Sequence, residues 1–392
     1  MTTERSEKLS IAMPGCSAPD RPDAELAAAA AITKAAAADR AGAVQAPQAP
    51  NTRTARGADR ILGEARRMVE PAHRAVVAQL DGPLREVAEY HAGWREIDGS
   101  PAHGGGKAIR SALALACARA AADRTAARSA ALAALPVGVA VELVHDFSML
   151  HDDVMDGDVT RRHRPAAWTV FGVGAAVLVG DALLLSAIRH LAASPVQQGA
   201  GVLAATVVEM CEGQWADLAF ASRADVSLPA CLAMAEAKTG ALMGAACQLG
   251  ALAAGAGPGA ARSYRVFGRQ LGLAFQLVDD LLGIWGDPQV TGKPVGADLA
   301  VRKKSLPVVA ALASGTEAAA RLARLYAGPG DLDEAAVAQA ADLVEAAGGR
   351  AWAQAEAERC RQGALHALAG TRPMGGAEEL VTLAALVTER SH

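Results

Sequence analysis

The chain has 392 residues, enough for one large domain or two ordinary ones. It is 52% hydrophobic and 20% charged, so a sizeable core is possible, and its net charge of −4 gives no argument for nucleic acid or an anionic membrane as a partner. Six scattered cysteines without CxxC spacing suggest neither a zinc site nor a disulfide framework, and imply a reduced, cytoplasmic protein.

Alanine dominates and aromatics are only 3%, which leans strongly to helix. Residues 1–58 stand apart. They hold Pro14, Pro19, Pro22, Pro47 and Pro50 between Ala runs, with no lasting apolar periodicity. They read as a disordered Ala/Pro-rich extension, with a transient helix near 24–41 and a short apolar patch at 9–13 that could dock on a partner. The first residues include Glu4, Arg5, Glu7 and Lys8 and lack the apolar stretch of a secretory signal.

Helical spacing begins near Asp59, with Ile61, Leu62, Ala65, Met68 and Val69, and resumes over 84–94 after Asp81-Gly82-Pro83. A polar loop then runs through Gly104-Gly105-Gly106-Lys107 into a helix at 108–121. Glycine-rich backbone leading into a helix N-terminus can cradle phosphate, and Lys107 and Arg110 share its first turn. Further helices are expected at 127–157, 170–193, 197–222, 227–254, 258–286, 303–314, 316–328, 332–347, 349–369 and 375–390. No strand alternation is evident, so residues 59–392 read as one all-α domain of mostly antiparallel helices. The most apolar windows, 171–185 and 239–257, read as core helices rather than transmembrane segments, since Asp181 and Gln248 interrupt them.

Chemistry concentrates at the end of the helix over 141–157. Asp152 and Asp156 lie four residues apart, one turn from each other on one face. Two carboxylates so close repel, and a hard divalent cation such as Mg²⁺ between them, shared with substrate phosphates, relieves this. Arg161, Arg162 and Arg164 follow, cations of the type that grips phosphate. The order recurs downstream. Asp279 and Asp280 end an apolar helix, followed by Lys293, Asp298 and Arg302-Lys303-Lys304. Between the two sites lie Glu212-Gly213-Gln214, Asp217, Lys238 and Thr239.

These motifs, in the order GGGKAIR, HDFSMLHDDVMDGDVTRRHRP, Gly180-Asp181, EGQWADL, KTGAL, FQLVDDLL and GKPVGADLAVRKKSLP, resemble the trans-isoprenyl diphosphate synthases, or polyprenyl synthetases. The resemblance covers residues 60–390 and is to the short-chain geranylgeranyl and farnesyl diphosphate synthases of actinobacteria. It implies an isoprenoid synthase-type bundle around a central cavity, usually a homodimer. It implies three Mg²⁺ ions, two on Asp152 and Asp156 and one on Asp279, with Asp153 and Asp280 in support. Arg161, Lys238 and Lys293 would hold an allylic diphosphate (dimethylallyl, geranyl or farnesyl), with Thr239 and Gln276 at the same end. Lys107, Arg110, His145 and Arg162 would hold isopentenyl diphosphate. The mechanism implied is ionisation of the allylic C–O bond followed by attack of the isopentenyl double bond. Phe147, five residues before Asp152, would floor the cavity beside the small Ser148, giving a C15 or C20 product.

Three positions depart from the family. Gly283 replaces a frequent third Asp of the second motif, which implies altered metal binding rather than inactivity. Ser111 stands where Pro is frequent. Val301-Arg302 replaces Glu-Gly, which implies a loop that closes differently. A class I terpene cyclase shares the metal chemistry, yet it needs an aromatic pocket, and the chain has five Trp, three Tyr and five Phe in all. A non-catalytic subunit of a hetero-oligomeric synthase would be expected to lose the aspartates kept here. The extension also resembles segments that load actinobacterial synthases into encapsulin shells, implying a shell partner and location through residues 1–58.

Overall fold

The computed structural model describes residues 52–102, 104–196, 198–223, 225–288 and 294–388. Residues 1–51 of the extension and the expected diphosphate ligand Lys293 lie outside them, whereas residues 52–58, expected to be disordered, already belong to the first helix. The first half of the chain runs α1 (Thr52–Val77), α2 (Gly82–His91), α3 (Ile109–Ala121), α4 (Ala127–Ala133), α5 (Leu135–Asp156), β1 (Thr160–Arg161), β2 (Arg164–Pro165), α6 (Ala167–Phe171), α7 (Val173–Ala192) and α8 (Gly199–Ala221). It continues with α9 (Leu228–Ala235), a wide π-turn (Glu236–Gly240), α10 (Ala241–Ala253), α11 (Pro258–Trp285), α12 (Ala297–Ala300), α13 (Leu306–Leu312), α14 (Glu317–Tyr326), α15 (Glu334–Ala346), α16 (Gly349–Gly370) and α17 (Glu378–Thr388).

The all-α expectation holds, although the helix expected over 170–193 is broken at Gly172, that over 227–254 contains the π-turn, and two further local differences stand out. The helix expected over 127–157 is two helices, α4 and α5, bent by 46° where Pro136 opens α5. Proline lacks an N–H and suits a first helical turn, so it starts a new helix there. And the strand-free expectation misses β1 and β2, two residues each, paired antiparallel as Thr160 with Pro165 and Arg161 with Arg164.

The main core joins α3, α5, α7, α10, α11 and α16. Small residues set its spacing. A Cβ on Gly268 of α11 would come within 2.8 Å of the Cys247 sulfur and of the Gly244 Cα, so α10 and α11 approach backbone to backbone. A second core gathers Ile284, Leu299, Val308, Leu322 and Val344 behind the end of α11. By length and composition α7 could cross a membrane, as could the bent α4–α5 pair. One side of α7, with Ala176, Val179, Leu183 and Ala187, is buried, whereas Leu178 and Leu185 on another are exposed.

Candidate active site

The acidic end of α5 meets the π-turn of residues 236–240. Lys238, inside that turn, places its ammonium 3.0 Å from Asp152 Oδ1 and 2.7 Å from Asp217 Oδ2 on α8. Wide turns of this kind shift the helical register by one residue and concentrate at functional sites. Gly213 of α8 makes the approach possible, since a Cβ there would lie 2.5 Å from the Lys238 backbone N. Asp152 and Asp217 outweigh burial and raise the pKa of Lys238, so it stays charged.

Asp156 is pushed up to about 6, first by burial and then by the charge of Asp152. Asp152 and Asp156 thus present two carboxylates on one face of the helix end. The donors are all carboxylate oxygens, the set preferred by a hard ion. Among the described residues no three His, Cys, Asp or Glu groups converge closely enough to hold an ion alone. An all-carboxylate donor set of this size fits Mg²⁺ whose remaining ligands come from a diphosphate. Asp153 is turned the other way. It is buried and accepts hydrogen bonds from Arg161, at 2.8 Å from Nε, while Asp158 stands 3.7 Å from the same guanidinium.

On α11, Asp280 is buried and serves as a buttress. It accepts from Gln276 Nε2 at 2.8 Å and from the Leu306 backbone N at 2.9 Å. Gln276 in turn accepts from Thr239 Oγ1 at 2.7 Å, so the expected pair Thr239 and Gln276 links the π-turn to the second acidic motif. Burial raises Asp280 to about 7, against the pull of Lys303. Asp279 is exposed. Lys303 lies close to both acidic ends: Asp298, Asp280, Asp217 and Asp156 all raise its pKa against the cost of burial. Asp217 and Lys303 thus join the site, though the motifs alone assign them no role. The only signals were their places inside EGQWADL and RKKS.

A second group of cations gathers beside it. His145 is held well below its usual pKa by burial and then by Arg110, Arg162, His91 and Arg161, which places Arg110 and Arg162 of the expected isopentenyl set near one neutral imidazole. The glycine loop touches it as well: a Cβ on Gly106 would lie 3.1 Å from Arg162 Nη2. Arg66 of α1 donates to the Gly106 carbonyl from the other side. Arg162 and His163 form the two-residue turn between β1 and β2, with φ of +52° and +62°. Such hairpin turns need left-handed residues, usually Gly or Asn. Here they are side chains, and each costs roughly 1 kcal/mol. Arg164 anchors the hairpin instead of facing phosphate. Its guanidinium stacks 4.3 Å over Tyr90 and donates to the Arg95 carbonyl at 2.8 Å.

Two departures from the family acquire reasons. Ser111 donates its backbone N–H to Glu142 Oε1 at 3.0 Å, a bond proline could not make. Arg302 adopts φ +51°, the left-handed form that glycine favours, with Nε donating to the Leu325 carbonyl at 3.3 Å.

Beneath the glycine loop, buried Asp146 sits 3.4 Å from His73 Nε2 and 4.0 Å from His91 Nε2. Burial and Glu142 push Asp146 up to about 7, opposed by Arg162 and Arg110. Burial lowers His73 to about 4 and His91 to about 3. The proton therefore resides on Asp146. A carboxyl whose folded pKa is raised keeps its contribution at low pH and loses it as pH climbs from 3.8 through 7. Asp146→Asn, which cannot ionise, should match the wild type in urea unfolding at about pH 4 and exceed it by roughly 2–4 kcal/mol at about pH 8.5. Equal stability at both pH values would contradict this account.

At the side of the bundle, Phe147 is buried with its ring 4.8 Å edge-on from that of His151. His151 Nε2 lies 3.0 Å from the Val177 carbonyl, against Gly180. Ser148 turns its hydroxyl back to the His145 carbonyl at 2.8 Å.

A helical bundle whose helix ends collect carboxylates, lysines and arginines defines an enzyme of metal-assisted diphosphate chemistry. The family model for polyprenyl synthetase matches residues 100–344. Over 320 residues the chain is 45% identical to a (2E,6E)-farnesyl diphosphate synthase of Mycobacterium tuberculosis, covering 80% of this chain and 88% of the relative. It is 45% identical over 313 residues to a geranylgeranyl diphosphate synthase of the same species, covering 79% and 88%. The solved polyprenyl synthetase of Streptomyces coelicolor superposes with a TM-score of 0.77 at 42% identity, covering 83% of this chain and 98% of that one. The chain belongs to the polyprenyl synthetase family, and its activity is that of a trans-prenyltransferase.

Proposed function

We propose that the enzyme condenses isopentenyl diphosphate with an allylic diphosphate to give geranylgeranyl diphosphate, with farnesyl diphosphate as the shorter product. The observation that carries this is the pairing of two cation-bridged acidic helix ends with an adjacent arginine and histidine group, which suits two diphosphates held side by side. Mg²⁺, three ions on Asp152, Asp156 and Asp279, would neutralise the charge that develops on the leaving diphosphate. Lys238, Arg161 and Lys293 hold that diphosphate, with Thr239 and Gln276 fixing the turn that carries Lys238. Lys107, Arg110, His145 and Arg162 hold the isopentenyl diphosphate, a task for which a neutral His145 serves as a hydrogen-bonding group among cations. The apolar wall below Asp152 excludes water, which would otherwise trap the allylic cation. Incubation with Mg²⁺, isopentenyl diphosphate and each allylic primer, followed by chain-length analysis, tests the reading. Consumption of an allylic diphosphate alone, to a cyclic hydrocarbon, would overturn it.

Product length is argued from Phe147, because the two mycobacterial relatives named for different products are equally similar to this chain. Phe147→Ala should lengthen the product by at least one isoprene unit and lower stability by about 3 kcal/mol. An unchanged product would remove Phe147 from the floor.

The active unit is a homodimer in this reading. Leu178 and Leu185 of α7, and Val208 and Trp215 of α8, are exposed in pairs seven residues apart, so each helix presents an apolar stripe. The loading of the enzyme into an encapsulin shell by residues 1–58 rests on their composition. Light scattering should give twice the chain mass with or without residues 1–58, and co-expressed shell should co-purify only with the full chain. A monomer, or shell association unaffected by the truncation, would refute the respective part.

A further inference from the structure

The two acidic helix ends differ in one respect. On α5, Asp152 and Asp156 stand one turn apart on one face. On α11, the position one turn beyond Asp279 is Gly283, which brings no side chain. Its space is nevertheless filled. A Cβ placed on Gly283 would meet the Asp298 carboxylate, 2.8 Å from Cγ and closer still to Oδ2. Real Cβ atoms do not approach so near, so any larger residue at 283 would make the Asp298 carboxylate turn aside from this position.

Asp298 is delivered by α12, a single turn entered through Gly296 at φ +71° and pinned by Leu299, which is fully buried in the second core. The loop closes behind it, with the Lys303 backbone N donating to the Asp298 carbonyl at 2.9 Å. Lys303 in turn lies near enough to Asp298, Asp280, Asp217 and Asp156 to feel the charge of each. Asp298 is therefore fixed at the junction of the two acidic sites.

We infer that Asp298 supplies the second carboxylate of the α11 site, seated from the following loop in the place that an aspartate at position 283 would occupy. The inference rests on the metal–diphosphate reading above. A hard cation recruited by Asp279 gains a second oxygen donor from Asp298 as α5 supplies one from Asp156. Restoring a carboxylate on the helix would not strengthen the site. It would force two like charges into one space and overpack it.

The reciprocal pattern is the test. Mn²⁺ is titrated into the full-length protein in the presence of inorganic diphosphate, and bound ion is read by electron paramagnetic resonance, without turnover. Asp298→Asn, which keeps the seat filled, should raise the apparent Kd for Mn²⁺ about tenfold or more. Gly283→Asp alone should weaken binding similarly or fail to fold. The double variant Gly283→Asp with Asp298→Ala should fold and bind within a few-fold of wild type, because the carboxylate returns from the other strand of chain. If Asp298 only pairs with Lys303, that double variant binds no better than Asp298→Ala by itself, and the assignment is overturned. Wild-type affinity in Asp298→Asn overturns it as well. Should neither variant at 283 fold, the Asp298→Asn titration decides alone. A wild-type protein that binds no Mn²⁺ with diphosphate overturns this inference and the functional reading together.

Discussion

Asp152→Ala is expected to lower turnover by about a thousandfold or more while leaving the fold intact. Its carboxylate stands at the tip of α5, part-exposed, 3.0 Å from the Lys238 ammonium. Removing it takes away both a donor for the ion and one of the two anions that hold Lys238. The second, Asp217 at 2.7 Å, remains, so the π-turn keeps its anchor. The unfolding midpoint should accordingly move by only a few degrees, a shift worth about 1 kcal/mol or less. Steady-state rates beside a thermal melt check the pair of outcomes. Substantial activity in the variant would mean that the diphosphate is not held at the end of α5.

Gly213→Ala is the second large effect. One methyl group at that position meets the backbone N and Cα of Lys238, at 2.5 and 2.9 Å, so a flexible side chain cannot yield to absorb it. The helix α8 must move away from the π-turn, at a cost of about 1–3 kcal/mol for overpacking. Lys238 and Asp217 then separate, and the site loses its central ion pair. A drop in activity of about a hundredfold is expected, since misplacing a positioning group by about 1 Å costs that much. The control is Gly201→Ala on the same helix, where a Cβ meets nothing within 4 Å. It should leave both activity and stability near wild type. Equal effects at the two positions would show that helix propensity, and not the contact with Lys238, governs the result.

Much of this arrangement could be read from the residues alone. Alanine-rich periodicity gave the bundle, and the spacing of Asp152 and Asp156 gave the first acidic site. Arg162, His145 and Arg110 could be grouped by motif, and the structure brings them around one imidazole. What escaped was backbone geometry. The break at Pro136 is hidden because apolar spacing continues across it. The hairpin after α5 is two residues per strand, too short for alternation, and its turn uses Arg162 and His163 where glycine or asparagine would have announced it. Asp153 and Asp280 look identical to their neighbours in sequence. Only burial separates them, sending Asp153 to Arg161 and Asp280 to Gln276 and Leu306. Asp298 was legible as a charge, but its seat on Gly283 is a contact across nearly a full loop, which no local pattern encodes.

The wide turn at Glu236–Gly240 carries one residue more than a regular helix would use over the same height. Deleting a residue there would let α9 and α10 fuse into one uninterrupted rod. The flanking helices would keep their facing, but the side chains inside the turn would take new directions, since each residue of a regular helix turns about 100° where the wide turn turns less. Thr239 could then no longer meet Gln276 while Lys238 meets Asp152. The local helix would gain regularity, and Lys238 would leave its place between Asp152 and Asp217, so the irregular backbone is itself the part that must be kept.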